Sequence, residues 1–233
     1  MTVFGAVFAR GGSKGLPGKN LRHVGGISLL ERAINAARDA ESIQSVIVST
    51  DDEVITKEAI RLGAEVPFRR PAEFSHDDSP EWGAWQHLAQ YLLERGALGS
   101  DLFVSIPPTA PLRLPADIDS AVRELKAGCF DVVLAVSEST RSPWFNMVKR
   151  APDGIVEVAL PQVGDPVFRR QDAPSLFDIT TVVYASTLGY INSADRMLEG
   201  VVGSITVPPE RALDIDTETD LLIADCLARK SID

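Results

Sequence analysis

The sequence predicts an α/β protein whose mostly parallel sheet is flanked by helices on both faces. Two observations carry that expectation. Short apolar runs alternate with helical patterns from Val3 to Val136, the order that builds parallel strands joined by right-handed helical crossovers. A glycine-rich, cationic loop also follows the first run, at the strand end where ligands of open α/β sheets bind. That loop, residues 10–20 (RGGSKGLPGKN), holds four glycines and three cations. The first thirty residues contain no Asp or Glu, in a chain whose formal net charge is -10. Where no Cβ intervenes, backbone N–H groups approach an anion closely, and Lys and Arg neutralise its oxygens. The loop therefore reads as a polyphosphate holder.

Residues 3–9 form an apolar run expected as the first, buried strand. Ser28 and Glu31 have the spacing of a capping box, and Leu30, Ala33, Ile34 and Ala37 mark one face of the helix it opens. Residues 45–50 read as the second strand, ending at Asp51 and Asp52. Ile55, Ala59 and Leu62 give the next helix face, with Gly63 as its stop. A short strand is expected at 65–68. Ser79 is the expected cap of the following helix, with Pro80 at its first position and Trp85, Leu88, Ala89 and Leu92 facing the core. An apolar strand at 102–106 runs into residues 107–113 (PPTAPLR), which no regular element can cross. Ile118, Ala121, Val122 and Leu125 mark a further helix, and 131–136 a further strand. Loops at 10–25, 51–53, 107–113 and 137–143 then gather at one sheet edge.

After Ser137 the pattern breaks. Residues 141–175 hold scattered Pro and Gly with short strand-like pieces, and read as an inserted hairpin or arm suited to packing on a second subunit. Residues 181–185 and 204–207 return to the main sheet. The last helix is expected to carry Leu222, Ile223, Cys226 and Leu227 along one side.

At 233 residues, with 45% hydrophobic and 24% charged residues, the chain is expected to be one globular domain, 1–233, with the arm at about 140–175. The acidic balance argues against a nucleic-acid partner. No signal-peptide pattern and no apolar run of membrane-spanning length occur, so no membrane partner and a cytoplasmic location are expected. Cys129 and Cys226 read as reduced thiols in or near the core, and zinc is not expected because no Cys/His cluster has ligand spacing.

The loop is neither a Walker A motif, since Lys19 is followed by Asn20, nor a dinucleotide fingerprint. Arg10, Lys14 and Lys19 are spaced to converge on one anion. Asp214 and Asp216, at i and i+2 of an extended segment, point to one side while Ile215 points into the core. Two carboxylates so close favour a cation between them, and Mg²⁺ takes such ligands together with substrate phosphates. The same residues also suit a helix N-terminus with Asp216 or Thr217 as cap and Asp220 in its first turn. The pairs Arg69/Arg70 and Arg169/Arg170, and Arg113, read by themselves as solvated surface cations. His23, His76 and His87 stand in no motif.

With these residues in hand, the chain resembles the acylneuraminate cytidylyltransferase (CMP-sialic acid synthetase) family. The matching pieces are 9–20 (ARGGSKGLPGKN), 48–51 (VSTD), 70–73 (RPAE), 108–113 (PTAPLR), 170–171 (RQ) and 214–217 (DIDT), in family order across nearly the whole chain. The resemblance implies a Rossmann-like α/β fold with the arm serving a homodimer. It implies that CTP and an acidic keto sugar give CMP-sugar and pyrophosphate, the anomeric hydroxyl attacking the α-phosphorus in line. It implies Arg10, Ser13, Lys14 and Lys19 as triphosphate holders, with Lys19 bracing the α-phosphate. Asn20, Arg70 and the backbone near Ser79 match nucleotide-contacting positions, the last at the cytosine edge. Asp214 and Asp216 match Mg²⁺ carboxylates, and Asp216 also helps deprotonate the sugar hydroxyl. Arg170 matches a basic position near the sugar, contributed by the arm.

This chain departs from the family at Pro107, where a Gln is usual, at 144–146 (WFN), where a Lys is usual, and at Thr180 and Thr181, which replace Asn-Gly. Each departure is expected on the sugar side, which points to a modified, legionaminic-like nonulosonic acid ahead of N-acetylneuraminate or an eight-carbon ulosonic acid. The competing readings are a sugar-1-phosphate nucleotidyltransferase, for which a Gly-Gly-x-Gly-Thr/Ser-Arg-Leu-like loop would be expected, and a non-catalytic nucleotide-sugar binding module.

Overall fold

The computed structural model describes residues 1–12, 14–76, 80–160 and 174–230. Its strands in chain order are β1 (Val3–Phe8), β2 (His23–Val24), β3 (Ile27–Ser28), β4 (Ser45–Ser49), β5 (Leu102–Ser105), β6 (Val132–Glu138), β7 (Val148–Arg150), β8 (Val156–Val158), β9 (Phe177–Thr187) and β10 (Val202–Thr206). The helices are α1 (Leu29–Asp39), α2 (Glu53–Arg61), α3 (Glu81–Glu94), α4 (Pro115–Ala127), α5 (Leu188–Ser193) and α6 (Glu218–Lys230). Among the described residues, the main sheet has the order β10-β6-β9-β5-β1-β4. β4, β1 and β5 run parallel, as do β6 and β10, while β9 lies antiparallel between β5 and β6. The expected mostly parallel sheet is therefore present, and its one reversed strand is β9.

Side chains alternate between two cores because successive strand residues point to opposite faces. Val3 and Val7 of β1 join Leu30, Ile34, Ile118 and Val122 from α1 and α4. Ala6, between them, joins Trp85, Leu88, Leu188 and Ile191 from α3 and α5 on the other face. Burial on both faces explains why β1 and β5 read as unbroken apolar runs rather than alternating ones.

Most element expectations hold. Ser28 Oγ accepts from the Glu31 amide at 3.1 Å, capping α1. Gly63 ends α2 with φ 81°, a backbone that glycine adopts without strain. The 65–68 strand is reduced to isolated bridges at Glu65 and Arg69. Pro80 precedes α3 with an extended ψ of 132° instead of taking its first helical position, and Ser79 lies outside the described residues. In the arm, β7 and β8 form an antiparallel hairpin.

Two expectations are corrected. α6 buries Leu221, Ala224 and Ala228, so Leu222, Ile223 and Cys226 face outward. The alanines that actually meet the core are small, and the larger residues beside them misled the choice of face. Cys129 is exposed as well, in the turn between α4 and β6.

A third, smaller cluster fixes the opening loop. Leu16, from the middle of that loop, is 1% exposed and packs with Ile215, Leu29, Leu221 and Ala224. Ile215→Ala is expected to lower stability by about 2–5 kcal/mol, the range for truncating a buried Ile, as read from urea denaturation.

Candidate active site

The loop after β1 folds back on itself through Asn20. This side chain is buried, and its amide donates to the Arg10 carbonyl at 2.9 Å. Gly18 turns the chain with φ 64° ahead of Lys19. Gly11 and Gly15 are glycines for close approach. A Cβ on Gly11 would stand 2.5 Å from Asp52 Oδ2, and one on Gly15 would stand 2.9 Å from the Asp216 carbonyl oxygen.

The loop thus lies directly against the carboxylate segment, and Lys19 Nζ pairs with Asp216 Oδ1 at 3.0 Å across 197 residues of sequence. As the period-2 pattern predicts, Ile215 is fully buried between the two aspartates. Thr217 and Asp220 make the cap of α6: the Thr217 hydroxyl accepts from the Asp220 amide at 3.3 Å, and Asp220 Oδ2 accepts from the Thr217 amide at 2.8 Å. The Thr217 hydroxyl also donates to Asp220 Oδ2 at 2.7 Å, and this bond is the main cause that holds the Asp220 carboxyl below its usual range. Because Thr217 does the capping, the Asp216 carboxylate remains 70% exposed beside Lys19.

The loop borders a cleft of about 290 Å³ lined by Phe8, Arg10, Lys19, Asn20, Arg70, Phe74, His76, Glu81, Ala84, residues 107–109 and Thr181. Three of the predicted strand-end loops contribute to the site, at Arg10, Asp51 and Pro107. Arg70 is buried, contrary to its reading as a surface cation, and Arg69 alone stays exposed. Arg70 Nε donates to Ser75 Oγ at 3.1 Å, and its guanidinium lies 3.8 Å from Asp51 Oδ1. Burial lowers its pKa, opposed by the nearby Asp51 charge. The same Asp51 oxygen accepts from the Gly11 amide at 3.0 Å. Asp51 therefore couples the loop to Arg70, a role that its place at a strand end hinted at without specifying. Arg10 donates to the His76 carbonyl at 3.1 Å. Lys14 is exposed on the loop. Ser13, Ser79 and Arg170 lie outside the described residues.

The far wall is shaped by an irregularity of β9. Leu134 of β6 pairs with Tyr184 and Val136 pairs with Ile179, so residues 180–183 bulge from the ladder. The Thr180 hydroxyl donates to the Ala135 carbonyl at 3.0 Å, replacing part of the lost pairing. Arg113, fully enclosed, donates to the carbonyls of Val182 at 2.7 Å, Thr181 at 3.0 Å and Pro107. It is a structural cation for bulge carbonyls, not a solvated one, and burial lowers its pKa to about 9. Within the bulge, the Thr181 hydroxyl donates to Asp214 Oδ1 at 3.0 Å. Pro107 and Thr181 line the cleft, Thr180 points into the sheet, and residues 144–146 are not among its described lining. Glu81 is a cleft residue that sequence reasoning missed, because an acid in a first helical turn looks like ordinary capping.

The cleft thus lies at the strand ends of a mostly parallel α/β sheet, where ligands of such folds bind. A solved structure titled CMP:2-keto-3-deoxy-manno-octonic acid synthetase complexed with CTP superposes with a TM-score of 0.71 at 16% identity, covering 99% of this chain and all of that one. A 4-diphosphocytidyl-2C-methyl-D-erythritol synthase from Anaerococcus prevotii superposes with a TM-score of 0.63 at 14% identity, covering 98% and 96%. The cytidylyltransferase family model matches residues 5–151, and the chain belongs to that family. The CMP-N,N'-diacetyllegionaminic acid synthase of Campylobacter jejuni is 26% identical over 95% of this chain and 92% of its own length. The post-translational flagellin modification protein B of Campylobacter coli is 26% identical over 96% and 94%. An N-acylneuraminate cytidylyltransferase of Danio rerio is 30% identical, with this chain spanning 49% of its length.

Arg113→Leu is expected to lower stability by roughly 3 kcal/mol or more, because the carbonyls it serves lose their buried donor. Urea denaturation of the variant measures this.

Proposed function

We propose that the chain transfers CMP from CTP to the anomeric hydroxyl of a nonulosonic, sialic-type acid and releases pyrophosphate. The observation that carries this is the contact between the glycine-rich loop and the Asp214/Asp216 segment, closed by the Lys19–Asp216 pair. Cations that would hold phosphate and carboxylates that would hold a metal are thereby brought into contact. Gly12 supports the same reading: it lacks a positive φ, and among the described residues, its chain neighbours aside, no atom lies within 4 Å of where its Cβ would be. Glycine there leaves room for a phosphate to approach the backbone. Family membership and the names of the relatives agree on a cytidylyl donor and an acidic sugar.

In this reading Arg10, Ser13, Lys14 and Lys19 bind the triphosphate, and Asn20, Arg70 and the backbone near Ser79 hold the nucleoside. Asp214 and Asp216 would hold Mg²⁺. The donor chemistry fits, since both are carboxylates on one side of one segment, with Thr181 orienting the first. Mg²⁺ takes substrate phosphate oxygens and waters beside one or two carboxylates, so two aspartates would suffice as its protein ligands. Bound between these residues and the substrate, Mg²⁺ would supply positive charge to offset that of the phosphates. The sugar oxygen forms its bond to the α-phosphorus, the bond to pyrophosphate breaks, and Asp216 takes the hydroxyl proton. Lys19 stabilises the charge on the α-phosphate in the transition state. Arg170, from the arm, neutralises the acidic sugar.

The finer readings follow. Exposed apolar side chains crowd the hairpin and the start of β9, among them Val148, Ile155, Val156, Phe177 and Ile179, which supports a homodimer formed through the arm. Among the described residues no helix is long and apolar enough to cross a membrane. Pro107 and Thr181 at the cleft support a modified, legionaminic-like acceptor.

Lys19→Ala is expected to lower kcat about a hundredfold or more while leaving the melting temperature nearly unchanged. Pyrophosphate release across CTP, UTP, GTP and a panel of acids tests the reaction. Turnover is expected only with CTP and best with a legionaminic-type acid, and best turnover with N-acetylneuraminate would contradict the acceptor assignment.

A further inference from the structure

The mechanism leaves unused the carboxyl group among the described lining of the cleft, that of Glu81. Glu81 opens α3, and its Oε1 accepts from Trp85 Nε1 at 3.1 Å. Trp85 is 3% exposed and packs against Phe8, Phe103 and Tyr184, so the carboxyl is tethered to a rigid aromatic anchor. Solvent reaches Glu81 through the open cleft, yet protein surrounds it closely, and this crowding raises its pKa against the opposing pull of Trp85 and Arg70.

A carboxylate is a poor neighbour for either substrate's acidic part, since it repels triphosphate and sugar carboxylate alike. It needs a donor from the substrate. Arg70 and Asn20 line the same cleft, with the apolar side chains of Phe8, Phe74 and Ala84 available to cover the faces of a flat ring. Cytosine offers two acceptors, O2 and N3, beside one donor, its exocyclic amine. Uracil reverses the last two, with N3–H as donor and a carbonyl oxygen in place of the amine. A guanidinium donor near a carboxylate acceptor matches the first edge and opposes the second.

We propose that Glu81 selects the nucleobase. Its carboxylate accepts the exocyclic amine of cytosine near Arg70 and rejects uracil by facing its carbonyl oxygen. This rests on the cytidylyl-transfer reading for the presence of a nucleotide in the cleft, and it adds the residue that discriminates. The Glu81 charge is the specificity element, and the Trp85 tether fixes where that charge stands.

The test is equilibrium titration of CTP and UTP into the wild-type protein and into Glu81→Gln. Inorganic pyrophosphate serves as a probe of the loop alone. Gln keeps a carbonyl oxygen for Trp85 and can turn its amide toward a uracil oxygen, and a melting curve checks that the fold is retained. The wild type is expected to prefer CTP. Glu81→Gln is expected to shrink the CTP:UTP preference about 10- to 100-fold, partly through a gain in UTP affinity, with pyrophosphate binding unchanged. Glu81→Ala, a second variant, is expected to lose CTP affinity without gaining UTP. A wild type that binds both nucleotides equally, or a preference left intact by both substitutions, overturns the proposal. If the preference collapses as expected while the wild type releases no pyrophosphate from CTP with any acid, base selection stands and the proposed reaction falls.

Discussion

The cleft depends on one constraint: the loop after β1 is held against the segment at 213–216. Two interactions of different kinds impose it. Leu16 and Ile215 share a buried apolar cluster beneath the loop, and Lys19 and Asp216 form an ion pair above it. The apolar contact supplies the stability, since an exposed ion pair contributes only about 0–1 kcal/mol. In the proposed reaction the pair would keep a cation and a carboxylate together until an incoming phosphate and metal separate them, each finding a stronger partner. Gly15 is required by the same constraint, because a Cβ there would stand 2.9 Å from the Asp216 carbonyl oxygen.

The opposite wall is organised by a departure from regular pairing. Residues 180–183 leave the β6–β9 ladder, and the carbonyls they release, with that of Pro107, are taken up by the Arg113 guanidinium. A cation is enclosed there because backbone oxygens need a donor where water does not reach, which is consistent with its pKa falling to about 9 and remaining above neutrality. The bulge turns Thr181 toward Asp214, so an irregular strand positions a carboxylate. The loop and the bulge are thus separate devices that converge on residues 214 and 216.

Much of this was legible in the sequence. The alternation of apolar runs with helical faces specified the layered sheet, and the spacing of Asp214, Ile215 and Asp216 specified that Ile215 would turn into the core. The density of glycine and cation marked the loop, and the order of six motifs marked the family. What escaped was whatever depended on long-range geometry. The burial of Arg70 and Arg113 could not be read because arginines are usually exposed, and their carbonyl and carboxylate partners lie on distant elements. Asp51 and Glu81 looked like ordinary strand-end and helix-start acids. The outward turn of Leu222, Ile223 and Cys226 escaped because α6 presents its alanines to the core. Small residues carry little weight in an apolar pattern even where close packing needs them.

The central claim is that loop and carboxylate segment form a single site for a polyphosphate and its metal. Calorimetric titration of CTP, with and without Mg²⁺, into the wild type and into Asp216→Asn tests it most directly. The account predicts that Mg²⁺ tightens CTP binding in the wild type and that this tightening is largely lost in the variant. An equal effect of Mg²⁺ on both proteins would contradict it.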